Sequence, residues 1–205
     1  MSVVDIKIIL LGESNVGKTS LLTRYTKNIF NDCFISTLGV EFDIKKIKMG
    51  GNDVTLHITD TSGQEQYKSI AQSFLRNVDG VIFVFDVTCI ESFEKIKDWL
   101  KDTKANINDF DYVLAGNKID LQDTKLINKE DIEKNDVLKD IKYFETSAKE
   151  NINVEETFKE LTDLILRRLH ETGSISKYER SRRNSFRLDH SRNQSKGNFS
   201  QPCCK

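Results

Sequence analysis

One stretch limits the folds open to this chain more than any other: Gly12-Glu13-Ser14-Asn15-Val16-Gly17-Lys18-Thr19. It has the spacing G-x-x-x-x-G-K-[ST], a glycine-bounded loop closed by a lysine and a hydroxyl. The run Asp5-Ile6-Lys7-Ile8-Ile9-Leu10-Leu11 before it reads as a buried strand. Leu21, Leu22 and Tyr25 after it share one side of a helix over about 18–27. Strand, glycine loop and helix in that order make a nest of backbone N–H groups at the positive end of a helix, which binds phosphate. There Lys18 supplies a point charge for the outer phosphates and the Thr19 hydroxyl a ligand for Mg²⁺.

The rest of the chain alternates strands and helices. Asn28 to Leu38 reads as a loop. Val40–Ile44 and Val54–Ile58 alternate around Gly50-Gly51-Asn52, the pattern of a β-hairpin. A polar turn, Asp60-Thr61-Ser62-Gly63-Gln64-Glu65, leads into a weakly helical segment ending near Asn77. Gly80–Phe85 and Tyr112–Ala115 are apolar enough to be strands covered on both faces. Between them Ser92 to Ile107 has helical spacing, with Phe93, Ile96, Trp99 and Leu100 on one side, where Trp99 reads as a packing residue. A polar helix is expected around 128–136, a short strand at 141–144, and a last helix from Val154 to near Leu169. The predicted fold class is α/β: a six-stranded, mostly parallel sheet with one antiparallel edge strand and helices on both faces. In such sheets ligands bind beyond the strands' carboxyl ends. Four turns fall there: the glycine loop, Asp60, Asn117 and Ser147.

Two regions differ in charge. Residues 171–205 hold eight Lys/Arg and three Asp/Glu, a net of +5; subtracted from −1 for the whole chain, this leaves −6 for residues 1–170. The division is therefore a folded domain over 1–170 and a basic tail over 171–205, predicted to be disordered, with seven serines and the chain's one proline. An acidic body with a basic tail is not a nucleic-acid footprint; the tail suits an anionic surface. No segment approaches the ~18 apolar residues that span a bilayer, and the amino terminus runs straight into the first strand without a signal peptide. The chain is therefore expected in the cytosol, and Cys33 and Cys89 read as isolated thiols, not a disulfide frame.

The turns carry the chemistry. In Asp60-Thr61-Ser62-Gly63-Gln64, the carboxylate suits Mg²⁺, Gly63 lets an N–H approach a terminal phosphate, and Gln64 stands where it can orient water. Asn117-Lys118-Ile119-Asp120 suits a base: guanine presents N1–H and the N2 amine as adjacent donors, and one carboxylate accepts both. The Lys118 stem can cover the ring. Ser147-Ala148-Lys149 reads either as a third base contact or as a helix N-cap.

In order, these motifs and Thr37 resemble the nucleotide motifs of Ras-like small GTPases. The stretches Ile35–Phe42, Tyr67–Ile70 and Phe85–Thr88, with the terminal Cys203-Cys204, are similar to the Rab branch. The likeness spans about residues 5–170 and the extreme carboxyl terminus. It implies a P-loop GTPase that binds GTP and GDP with Mg²⁺ and regulates vesicle traffic through effectors. The implied nucleotide contacts are Ser14, Asn15, Val16, Gly17, Lys18, Thr19, Ser20, Phe30, Phe34, Thr37, Gly63, Asn117, Lys118, Asp120, Ser147, Ala148 and Lys149. By the same pattern Phe30 packs on the base and the Ala148 N–H meets guanine O6. Thr19, Thr37 and Asp60 are implied for the metal, and Lys18 and Gln64 for catalysis. The implied partners are an exchange factor, an activating protein, a GDP-dissociation inhibitor or escort protein, and effectors at the switch loops. Two lipids on Cys203 and Cys204 would hold the protein to the cytoplasmic face of endomembranes, cycling with the cytosol. No arginine stands in the glycine loop or near Thr37, so unassisted turnover is expected on the order of 10⁻⁴ s⁻¹.

The sequence also departs from that pattern. Thr59 stands where a Trp is usual, Ser62 replaces an Ala, and Phe42, Thr59 and Phe74 stand where an aromatic triad faces effectors. Two other readings remain at this stage. A P-loop kinase or ATPase would prefer ATP and leave Asp120 without a role; a nucleotide-bound docking protein would barely hydrolyse.

Overall fold

The computed structural model describes residues 3–32, 39–61, 75 and 77–173. The expected helix ahead of Asn77 therefore lies almost wholly outside the described residues. So do Cys33, Phe34, Thr37, Ser62, Gly63, Gln64, Phe74, Cys203 and Cys204.

Six strands form one sheet: β1 (Val3–Leu11), β2 (Val40–Met49), β3 (Asn52–Thr61), β4 (Gly80–Asp86), β5 (Asp111–Asn117) and β6 (Tyr143–Glu145). Their order is β2-β3-β1-β4-β5-β6. Only the β2–β3 hairpin is antiparallel; it turns through Gly50-Gly51 from Met49 to Asn52, leaving β2 at the edge. The parallel pairs need crossovers, and helices lie in them: α1 (Lys18–Lys27), α2 (Ile90–Glu94), α3 (Ile96–Asn106) and α4 (Lys129–Glu133); α5 (Val154–Glu171) follows the last strand.

The period-2 pattern of the central strands sorts side chains into two cores. Ile6, Ile8 and Leu10 of β1, Ile82 and Val84 of β4, and Val113 of β5 pack on Leu21, Leu22, Phe158, Leu161 and Ile165 of α1 and α5. Ile9, Leu11, Val81, Phe83, Phe85 and Leu114 point the other way, onto Ile96, Trp99 and Leu100 of α3. Both faces of the middle strands are thus covered, which is why they are apolar at nearly every position. On the α1 side Tyr25 stacks on Phe158 with centroids 3.9 Å apart, and the Lys45 ammonium of β2 sits 3.6 Å from the Tyr25 centroid. At the amino edge of the sheet, Arg168 of α5 pairs with Asp111 at 2.7 Å and Asp109 at 3.1 Å and donates to the Asp79 carbonyl.

Three elements differ from the sequence expectation. The helix expected from Ser92 starts at Ile90 and is divided at Lys95. The Ser92 hydroxyl receives the Asp86 N–H and donates to the Cys89 carbonyl, so it ties the first turn to β4 instead of capping the helix. The polar helix around 128–136 is only α4, closed at its start by a reciprocal Asn128–Asp131 capping box. Beyond Glu133, a turn in which Leu138 N–H bonds the Asn135 carbonyl buries Leu138. The last strand starts two residues later than expected and ends one later, at Tyr143–Glu145.

Candidate active site

The four turns meet at the carboxyl edge, as the topology requires. The glycine loop follows β1, Asp60 is the penultimate residue of β3, Asn117 ends β5, and Ser147 follows β6.

The glycine loop is backbone brought close to backbone. Gly12 has φ 150°, and a Cβ there would meet the Val84 carbonyl oxygen at 2.1 Å; Gly17 has φ 93°, and its Cβ would meet Asn117 Nδ2 at 2.3 Å. Only glycine fits either place. Gly17 is the N-cap of α1 and no side chain caps the helix, so its first-turn N–H groups keep their donors for a ligand. Ser14 and Asn15 at the loop tip are exposed, Val16 is buried, and Ser20 is half-buried.

Lys18 is buried, and its ammonium donates to the Gly12 carbonyl at 2.9 Å and the Glu13 carbonyl at 2.7 Å. Two of its three N–H donors hold the loop, and the third has no acceptor among the described residues. Burial pulls its pKa down to about 8, against the opposing charges of Asp60 and Glu13. Asp60 is fully buried; burial pushes its carboxyl up to about 6, Glu41 adds to that, and the Thr19 hydroxyl and Lys18 oppose it. Thr19 Oγ1 donates to Asp60 Oδ2 at 2.5 Å, while the buried Asp60 Oδ1 has no hydrogen-bond partner among the described residues. A buried, unpartnered carboxylate oxygen beside a threonine hydroxyl is a hard oxygen donor set, so the residues present fit Mg²⁺.

Asn117 joins the two halves of the site from inside. It is 2% exposed, its Nδ2 donates to the Val16 carbonyl at 2.9 Å, and its Oδ1 accepts from Ala148 N–H at 3.2 Å and Thr146 Oγ1 at 3.3 Å. The Ala148 N–H expected to read a base thus has an internal acceptor of its own. Lys118 takes φ 69° and anchors its ammonium on Asp86 at 2.7 Å. Ser147 Oγ donates to Asp120 Oδ1 at 2.5 Å and accepts the Glu150 N–H at 3.0 Å. Ser147 caps no helix, since the last helix begins at Val154 with Asn153 as its N-cap; its hydroxyl instead ties a turn and aims a carboxylate. Asp120 is half-buried, and its two oxygens keep lone pairs for further donors. Phe30 packs partly buried against the first core, and Lys149 is exposed.

Four contributors were not assigned to the site from the sequence. Thr146 touches Asn117 and adjoins Ser147, so its neighbourhood was the one available signal. Asp86 holds Lys118, and Arg24 of α1 reaches the carbonyls of Ala148 and Lys149. Trp99 is buried as expected, but its indole Nε1 also donates to Glu13 Oε1 of the glycine loop at 3.0 Å.

Compared with known proteins, residues 7–167 match the model of the Ras family. The chain belongs to the Ras family. Its relatives place it in the Rab branch. Ras-related protein Rab-10 of Diplobatis ommata is 40% identical over 163 residues, 79% of this chain and 82% of that protein. Ras-related protein Rab-8B of Homo sapiens is 39% identical over 165 residues, 80% of each. This Rab-type GTPase binds GTP and GDP, hydrolyses GTP to GDP, and regulates membrane traffic as its family does, with exchange factors, activating proteins, dissociation inhibitors and effectors as its general partners. Among the described residues no helix is long and apolar enough to cross a membrane.

Proposed function

We propose that this Rab-type GTPase reads guanine through Asp120, holds the phosphates in the loop Ser14–Ser20, and switches two loops on the state of the γ-phosphate. The observation that carries the reading is the Ser147–Asp120 hydrogen bond of 2.5 Å, which aims a carboxylate across the edge that also holds Lys18. Adenine offers no adjacent pair of donors to such a group, and a site left with unpaired polar atoms rejects it strongly. Phe30 packs on the base, Phe34 adds a nucleotide contact, and Lys118, Ala148 and Lys149 complete the base pocket.

Thr19 and Asp60, with Thr37, would hold Mg²⁺, which when bound neutralises charge on the phosphate oxygens. Lys18 and the loop amides hold the transferring phosphoryl group, because preorganised donors are worth most where charge develops. Gln64 orients the attacking water, and Thr37 and Gly63 tie their loops to the γ-phosphate until it is lost. Turnover without an activating protein is slow, on the order of 10⁻⁴ s⁻¹, for want of an arginine in the loop.

The domain over 1–170 is followed by a basic tail whose Cys203 and Cys204 carry prenyl groups, since two chains anchor stably where one is marginal. Arg180, Arg182, Arg183 and Arg187 add attraction to anionic lipid on the cytoplasmic face of endomembranes.

Competition of GDP and ADP for the purified protein tests the base reading. GDP is expected to win by several orders of magnitude and Asp120→Asn to abolish that preference. Adenine preference, or an unaltered Asp120→Asn variant, overturns it. Mass spectrometry of the native carboxyl-terminal peptide tests the lipids; unmodified cysteines would remove that claim.

A further inference from the structure

Arg24 lies on α1 inside no motif, yet its guanidinium makes four hydrogen bonds. Nε donates to the Ala148 carbonyl at 2.8 Å and Nη2 to the Lys149 carbonyl at 3.0 Å. Nη1 donates to the Asn28 carbonyl at 3.1 Å and to Asn28 Oδ1 at 3.2 Å. All four acceptors are neutral oxygens, and no carboxylate pairs with this cation among the described residues. A planar fork fits several fixed acceptors at once, which an ammonium on a flexible stem does not.

On the guanine reading, the acceptors belong to opposite sides of the base pocket. Asn28 closes α1 with φ 56° and leads directly to Phe30. Ala148 and Lys149 follow Ser147, whose hydroxyl holds Asp120. Movement of the 148–149 bend therefore reaches the group that reads the base, and movement at Asn28 reaches the ring expected to cover it.

We propose that Arg24 is a positioning residue: it braces the Phe30 side and the Ala148 side of the base pocket against each other. By doing so it sets how slowly nucleotide leaves and how strictly guanine is told from hypoxanthine. The proposal rests on the guanine reading above. Hypoxanthine is the sharp probe, because it lacks only the exocyclic amine that Asp120 accepts.

The experiment uses the full chain with Mg²⁺ and the variants Arg24→Lys and Arg24→Ala, the first retaining the charge if the second fails to fold. Release of fluorescent GDP is measured, together with the affinity ratio of GDP to inosine diphosphate. Hydrogen bonds from a charged donor predict roughly tenfold faster release for Arg24→Ala, a smaller gain for Arg24→Lys, and a GDP-to-inosine-diphosphate ratio that falls in both. Wild-type release and ratio in the variants overturn the proposal. So does an equal loss for the two nucleotides, which marks a merely structural role. A wild-type protein that does not prefer GDP to ADP defeats the guanine reading itself, and that is seen before any variant is made.

Discussion

Replacing Asn117 by alanine should loosen the phosphate loop and the base loop together. The side chain is buried and holds three groups that have no water to turn to: the Val16 carbonyl, the Ala148 N–H and the Thr146 hydroxyl. Thr146 Oγ1 also reaches the Gly116 carbonyl at 3.4 Å, so the hydroxyl loses least. A buried donor or acceptor left without a partner costs about 1–3 kcal/mol, so the carbonyl and the amide together put the loss near ~3 kcal/mol. For a domain of this size that corresponds to a fall in Tm of roughly 6–12 °C, read by circular dichroism on nucleotide-loaded protein. Asn117→Asp sharpens the test. It keeps the shape and the acceptor but turns an oxygen toward the Val16 carbonyl, and should be at least as damaging. A third variant checks the packing. A Cβ on Gly17 would meet Asn117 Nδ2 at 2.3 Å, so Gly17→Ala should cost less in the Asn117→Ala background than in the wild type. The strain of its φ is present in both and cancels, leaving a coupling of about 1 kcal/mol or more. A loss below ~0.5 kcal/mol for Asn117→Ala, or strict additivity with Gly17→Ala, would refute the view that this side chain stitches the site.

Three further outcomes are expected. Burial, with Glu155 second, pushes the Tyr25 hydroxyl up to about 12 from an ordinary 10.0. Its contribution to stability is therefore whole below pH 10 and is lost between about 10 and 12, as the unfolded chain ionises first. The difference in urea midpoint between wild type and Tyr25→Phe should change across that window; a constant difference counts against it. Trp99 is the chain's one tryptophan, and its indole bonds the glycine loop, so Glu13→Ala and GDP binding should each change its emission. Unchanged spectra in both would sink that link. Arg168→Ala leaves Asp111 and Asp109 facing the Asp79 carbonyl without their cation. Partial exposure brings the cost below that of a broken buried pair, to roughly 1–3 kcal/mol, and GDP affinity should stay as it was. Urea unfolding measures the first and calorimetry the second; equal stability, or a lost affinity, would be the wrong result.

Local pattern told most about the elements whose role is set by their own period. β1, β4 and β5 are apolar at consecutive positions because two cores need them, and that is written in the strands themselves. The hairpin and the last helix were legible for the same reason. The divided helix at Lys95 and the short α4 were not, since each is decided by a contact from outside its window, Ser92 on Asp86 and the buried turn at Leu138.

What the sequence determined alone was the chemistry available: a glycine loop with its lysine and threonine, a carboxylate at 60, another at 120, and the order in which strands deliver them to one edge. Those follow from residue type and from spacing along the chain. The tertiary structure decided how each group is held. Arg24 meets Ala148 across 124 residues, Asn117 meets Val16 across 101, and Trp99 meets Glu13 across 86. No local pattern encodes such pairs, because a hydrogen bond needs only two atoms about 3 Å apart, and folding brings them there from any distance in sequence.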